Sequence, residues 1–225
     1  MKKSILNNGM ILTGFALATT AMIALTFTGT KDKIELQLVQ KRLSILNAII
    51  PAESYDNDIH HDCTIAVNEE FLGTDQPHAV YLARKQNQPV AMAIETTAPN
   101  GYSGKIELIV GVDLEGKVSG VRVLDHKETP GLGDKIELRV SDWITSFTGK
   151  TVTDNNLDDW QVKKDGGQFD QFTGATITPR AVVNAVKNAA LFAKQNQSKL
   201  FNSAVQCEQG ASDAKPDTST SGDQS

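Results

Sequence analysis

The segment Asp170-Gln171-Phe172-Thr173-Gly174-Ala175-Thr176 is made of residue types that favour access over bulk. Gly174 and Ala175 leave the backbone open to a close-fitting partner. Thr176 carries a hydroxyl able to form an ester with a phosphate. Directly downstream, Val182, Val183, Val186, Ala189, Ala190 and Phe192 recur among Lys, Asn and Gln, which predicts a helix with an apolar stripe over 179–200. Thr178 fits the N-cap of that helix, and Pro179 fits its first position, where a missing N–H is no loss. Thr176 then stands within two residues of a helix start, where unpaired N–H groups and the helix dipole favour an anion. Arg180 in the first turn adds a charge-assisted contact for a phosphodiester. The same residues also suit an ordinary capped turn, because Thr-Gly-Ala-Thr before Pro needs no ligand to be useful at a helix start.

This segment resembles the Asp-x-x-Ser/Thr-Gly-Ala-Thr signature of proteins flavinylated by an ApbE-type flavin transferase. The resemblance implies that Thr176 is the acceptor of a covalent FMN phosphoester, and that Asp170, Thr173, Gly174 and Ala175 are what the transferase recognises. A second resemblance joins Gly101-Tyr102-Ser103-Gly104-Lys105-Ile106 to Glu128-Thr129-Pro130-Gly131-Leu132-Gly133. These runs look like the FMN-binding domain shared by the G subunit of the Rnf/Rsx electron transport complex and the C subunit of the sodium-translocating NADH:quinone reductase. The modest length and the His126-to-Gly133 run favour the Rnf/Rsx G subunit. In chemical terms the loops suit a flavin cradle. Pro130, Gly131 and Gly133 shape a tight backbone path, Leu132 supplies an apolar contact, and Glu128 and Thr129 can hydrogen-bond a ring edge. With Gly101, Tyr102, Ser103, Thr178 and Arg180 they make up the candidate cofactor site; a plain Pro-Gly turn is the alternative, and His126 is left without a role.

Other reactive residues point nowhere as specific. His60, His61 and Asp62 are adjacent in a polar stretch, but nothing at helical spacing completes a metal site. Cys63 and Cys207, the only cysteines, are too far apart for a short-spaced metal pair. In an exported domain they can form a disulfide; two unrelated thiols are the alternative. A net charge of -5 without clustered Lys and Arg argues against nucleic acid.

The elements that must position these residues follow from patterning. Residues 9–28 carry no charge and are rich in Ile, Leu, Phe, Met and Ala, which matches the roughly 20 residues that cross a bilayer. Lys2 and Lys3 precede the run, so residues 1–8 are expected on the cytoplasmic side. A cleaved signal peptide ending near Ala16-Leu17-Ala18 is the rival, but the apolar run continues to Phe27. Residues 29–51 read as a linking helix with Ile34, Leu36, Val39, Leu43, Ile45, Leu46 and Ile49 on it, ended by Pro51. Short alternating or apolar runs at 79–84, 90–96, 105–112 and 118–124 predict an antiparallel meander, with Asp113-Leu114-Glu115-Gly116 as one hairpin connection. Residues 134–147 read as partly helical, with Ile136, Val140, Trp143 and Ile144 on one face.

The fold expected is therefore α+β: an N-terminal transmembrane helix, then a mostly antiparallel sheet with flanking helices over 52–205, and a disordered tail over 206–225. The resemblance implies a covalent-FMN electron carrier, single-pass in the bacterial inner membrane with its soluble domain in the periplasm, among the other subunits of an Rnf/Rsx-type complex and matured by a flavin transferase. A sodium-translocating NADH:quinone reductase C-type subunit is the runner-up. A free-standing flavin reductase and an unflavinylated structural subunit are the readings from other classes. The reductase is disfavoured because no glycine-rich dinucleotide fingerprint follows a strand.

Overall fold

A computed structural model describes residues 2–203. The chain divides into two compact units, residues 1–44 and residues 45–225.

The first unit is the body of α1 (Lys2–Ile49), which is one uninterrupted helix of 48 residues, so the expected spanning and linking segments share a single helical rod. Its stretch Ile5–Lys31 is long and apolar enough to cross a membrane. The threonines in that stretch do not spoil it. Thr13, Thr19, Thr26 and Thr28 each donate their hydroxyl to the carbonyl four residues back, at 2.8–2.9 Å. Their polar groups are thus satisfied within the helix, as an apolar medium requires.

The second unit is built on a five-stranded sheet in the order β1 (Cys63–Ala66), β2 (His78–Lys85), β3 (Gln88–Gly101), β4 (Gly104–Asp113), β5 (Val118–Asp125). Every neighbouring pair is antiparallel. The expected meander is present, each expected strand being extended by a few residues. Its first strand and the single-turn α2 (Glu69–Leu72) fall where the sequence patterning predicts no element. The Asp113–Gly116 connection is a tight turn in which the Asp113 carboxylate accepts from the amides of Glu115 at 3.0 Å and Lys117 at 2.8 Å.

Strand alternation gives the sheet two different faces. Met92, Ile94, Leu108, Val110, Val112, Val118 and Val121 bury one face together with α3 (Ile177–Phe201), whose Val182, Val183, Val186, Ala189 and Ala190 form the facing stripe. Trp143, Phe147, Trp160, Phe169 and Phe172 extend this core as an aromatic cluster, with Phe147 and Phe169 ring centroids 4.6 Å apart. The opposite face receives the last turn of α1. Leu46, Ile49 and Ile50 are fully buried, and Ile49 lies over the cross-strand pair Gly111 and Gly120. A Cβ on Gly120 would come within 2.9 Å of the Ile49 Cα, so only glycine lets the helix end approach this closely.

Residues 134–147 form two short 3-10 turns, Gly133–Ile136 and Asp142–Phe147, instead of a continuous helix. Glu137 between them is extended, with φ -79° and ψ 133°. That break throws Val140 out of register with Ile136, Trp143 and Ile144, leaving it 41% exposed while the other three are buried.

Candidate functional site

The acceptor segment is a surface turn pinned at its base. The Trp143 indole donates to the Asp170 carbonyl at 2.8 Å, and the Phe172 ring meets Trp143 edge-on with centroids 5.0 Å apart. Between these anchors and α3 the chain makes a turn in which the Ala175 amide donates to the Phe172 carbonyl at 3.2 Å. Gly174 occupies it with φ +82°, a left-handed value that side chains rarely adopt. Thr173 and Gly174 are exposed, and the Asp170 carboxylate reaches out to Lys163 at 2.6 Å.

The helix start differs from the sequence expectation. α3 begins at Ile177, with Thr176 as its N-cap residue, so Thr178 and Pro179 lie inside the first turn. The shift has a local cause. Thr178 is fully buried and donates its hydroxyl to a Glu128 carboxylate oxygen, which requires it to point inward and not to cap. Pro179 still has no amide to lose at this depth, because first-turn N–H groups have no intrahelical acceptor. Thr176 makes no side-chain cap hydrogen bond. Its half-buried hydroxyl is therefore uncommitted at a helix N-terminus where the amides of Ile177 and Thr178 are first-turn donors.

Glu128 is the centre of the surrounding loops. It is only 4% exposed, and its other carboxylate oxygen accepts from the Ser103 amide at 3.0 Å. Ser103 sits in the β3–β4 hairpin tip, whose Gly101 and Gly104 are register partners. The Glu128 carboxylate thus accepts one hydrogen bond from the protein at each oxygen. Behind it the His126 Nδ1 accepts from the Glu128 amide at 3.0 Å. An amide can only donate, so this fixes the imidazole as the tautomer with hydrogen on Nε2, which it directs to Glu137. Glu137 also accepts from Arg139, and that hydrogen bond, against the cost of partial burial and with help from His126, holds its carboxyl below the usual glutamate range.

The loop after Glu128 is a Pro-Gly turn, with the amides of Leu132 and Gly133 both donating to the Thr129 carbonyl at 3.1 Å and Gly131 at φ +78°. Leu132 is 42% exposed at its tip, and its Cδ2 lies 3.5 Å from where a Cβ on Gly174 would be. The Pro-Gly loop and the acceptor turn therefore touch. Tyr102 on the hairpin tip is 66% exposed and Ile177 is 46% exposed. Arg180 is held in a bidentate pair with Asp165, at 2.5 and 2.6 Å. A groove of about 910 Å³ is lined in part by Pro99, Asn100, Ile177, Arg180 and Asn184, and so includes two residues from the start of α3. No sequence pattern marks this groove, since its walls come from α2, β3 and α3 and share no local signal.

The other polar clusters are occupied by structural work. His61 bonds Asp58 at 2.8 Å, and Asp62 pairs with Arg84 at 2.8 Å. No group of three His, Cys, Asp or Glu able to hold a metal occurs among the described residues. Cys63 is buried and is no free thiol, while Cys207 lies outside the described residues, as does the expected tail over 206–225.

Known proteins share both halves of this arrangement. Residues 101–191 match the model of the FMN-binding domain, and residues 1–49 match that of the RnfG N-terminal region. The chain is 55% identical over 207 residues to a protein of Pseudoalteromonas atlantica named as the G subunit of an ion-translocating oxidoreductase complex, covering 92% of this chain and 96% of that one. Proteins of the same name from Shewanella amazonensis and Vibrio cholerae are 56% and 53% identical, covering 94% and 92% of this chain and 98% and 99% of theirs.

Proposed function

The chain belongs to the family of G subunits of ion-translocating oxidoreductase complexes, the Rnf family, and from that premise we propose that it carries FMN as a phosphoester on Thr176. It is an electron-transport flavoprotein subunit with an FMN-binding domain. When bound, FMN supplies reversible uptake of one or two electrons, so no separate substrate pocket is needed.

The observation that carries the proposal is the Thr176 hydroxyl: uncommitted, half-buried, at the start of α3 and next to the turn that meets the exposed Leu132. The residues fit the group. The first-turn amides of α3 offer hydrogen bonds to a phosphodiester, and the helix dipole favours its charge. Leu132, Tyr102 and Ile177 offer exposed apolar surface that a flat ring would cover. Arg180 reaches a phosphate only by leaving Asp165, an exchange that an exposed ion pair permits at small cost. Asp170, Thr173, Gly174 and Ala175 form a protruding turn that a flavin transferase can grip from outside. In the attachment the Thr176 oxygen attacks the flavin-bearing phosphorus of a flavin dinucleotide, the pyrophosphate P–O bond breaks, the other half leaves as a nucleoside monophosphate and the hydroxyl hydrogen passes to solvent, so the net gain is FMN less water.

The apolar N-terminal helix and the family make this a membrane protein of a multi-subunit complex. The soluble unit is assigned to the periplasm, where Lys2 and Lys3 retained inside and a disulfide at Cys63 are both chemically consistent. The test is expression of the full chain in cells that contain the flavin transferase. Yellow fluorescence should persist on a denaturing gel, with a mass increase of one FMN less water, and Thr176→Ala should lose both. A non-fluorescent wild-type chain of unmodified mass overturns the proposal.

A further inference from the structure

Three segments of the candidate site come from separate parts of the chain: the β3–β4 hairpin tip, the Pro-Gly loop and the first turn of α3. One side chain joins them. Glu128 starts the Pro-Gly loop, accepts from the Ser103 amide of the hairpin tip at 3.0 Å, and accepts from the Thr178 hydroxyl of α3. Space for the carboxylate is built by missing side chains. A Cβ on Gly133 would stand 2.6 Å from one carboxylate oxygen, and a Cβ on Gly101 would stand 2.9 Å from the other. The backbone of Glu128 is held in turn by His126, which Glu137 orients. A carboxylate buried to this degree among neutral donors is costly to desolvate, and its hydrogen bonds are correspondingly strong.

Building on the flavin reading above, we propose that Glu128 is a positioning residue: its buried carboxylate sets where Thr176, two residues before Thr178, stands relative to the Pro-Gly loop, and it does so without touching the flavin. Each oxygen already accepts from one of these segments, and its influence passes through Ser103 and Thr178. Glutamine can replace it in this role. Its amide oxygen can accept from the Ser103 amide while its NH2 donates to the Thr178 hydroxyl, which rotates to accept. Leucine cannot, because it leaves the Ser103 amide and the Thr178 hydroxyl unpaired.

The experiment follows FMN incorporation into the detergent-solubilised full chain by the flavin transferase, together with the visible circular dichroism of the bound flavin and the thermal midpoint of each variant. Glu128→Leu should incorporate FMN about 10-fold more slowly, and its flavin should show a weakened dichroic band, as expected from losing two hydrogen bonds to an ionised group. Glu128→Gln should stay within about 2-fold of wild type by the same reasoning. Thr178→Val should behave like Glu128→Leu, and Thr178→Ser like wild type, which decides the matter even if Glu128→Leu does not fold. Wild-type rate and dichroism in both Glu128→Leu and Thr178→Val overturn the proposal. So does a Glu128→Gln variant as slow as Glu128→Leu at an unchanged thermal midpoint, since the charge itself would then be acting on the flavin. Failure of wild type to take up FMN refutes the flavin reading itself and is a separate outcome.

Discussion

Gly120→Ala tests the seating of the end of α1 on the sheet, and its magnitude can be worked from the contact. The added Cβ would lie 2.9 Å from the Ile49 Cα, 3.1 Å from its Cβ and 3.2 Å from its Cγ2. Two of those atoms belong to the stem of a helical residue and cannot swing aside. Lifting the whole helix end would expose Leu46, Ile49 and Ile50, each costing about 1.5–3 kcal/mol. A local shift of strand and helix is the cheaper response, at about 1–3 kcal/mol for one methyl of overpacking. At about 2–4 °C per kcal/mol for a domain of this size, the thermal midpoint should fall by about 2–12 °C. The measurement is thermal unfolding of the full chain in detergent, followed by circular dichroism. Ile49→Ala should not rescue Gly120→Ala, because the closest approach is to the Cα that alanine retains. A midpoint within about 1 °C of wild type, or a double variant more stable than Gly120→Ala, refutes the close-packing argument.

Two further outcomes are expected. His78 is buried, and its Nε2 lies 3.1 Å from the Thr97 hydroxyl, which itself donates to Glu107 at 2.6 Å. Thr97 must then accept from His78, and burial pushes the imidazole below its ordinary value against the pull of Glu107. The folded state thus binds the proton less tightly than the unfolded one. Stability should be full above the ordinary histidine range near pH ~6.5 and decline as pH falls through the lowered folded value. A melting-temperature profile of His78→Gln against wild type checks this, and parallel profiles refute it. Separately, Arg84 is ion-paired to Asp62, directly before Cys63, and donates to the Phe201 carbonyl at 2.9 Å at the end of α3. The residues from Phe201 to Cys207 reach at most about 22 Å, which brings Cys207 within range of Cys63. Alkylation of the unfolded chain should therefore modify neither cysteine unless a reductant is added first; labelling without reductant refutes the bond.

The sheet was legible because its core strands alternate or run apolar between clear turn residues, as in Lys105 to Val112 and Val118 to Leu124. The first strand was not, because four residues at an edge after a polar stretch give periodicity too little length to register. Residues 134–147 misled for a different reason. Ile136, Val140, Trp143 and Ile144 have helical spacing, but the extended Glu137 resets the phase. Within the site, Thr176, Gly174 and the Pro-Gly turn could be read from residue types. The engagement of Glu128 could not, since its partners Ser103 and Thr178 are 25 and 50 residues away in the chain.

The two-residue shift in the start of α3 changes what Thr176 can do. An N-cap hydroxyl ordinarily accepts from the amide at the second or third helical position. Here the third position is Pro179, which has no amide, so only the Thr178 amide is left for a cap to take. Thr176 occupies the cap position in helical geometry, φ -83° and ψ -21°, and does not cap. Had the helix started at Pro179, with Thr178 capping it, Thr178 would have lost its bond to Glu128 and Thr176 would have stood outside the helix, away from the first-turn amides. The order Thr-Ile-Thr-Pro thus separates two tasks that one threonine usually combines: the buried Thr178 secures the turn, and the outer Thr176 keeps a hydroxyl available at the positive end of the helix.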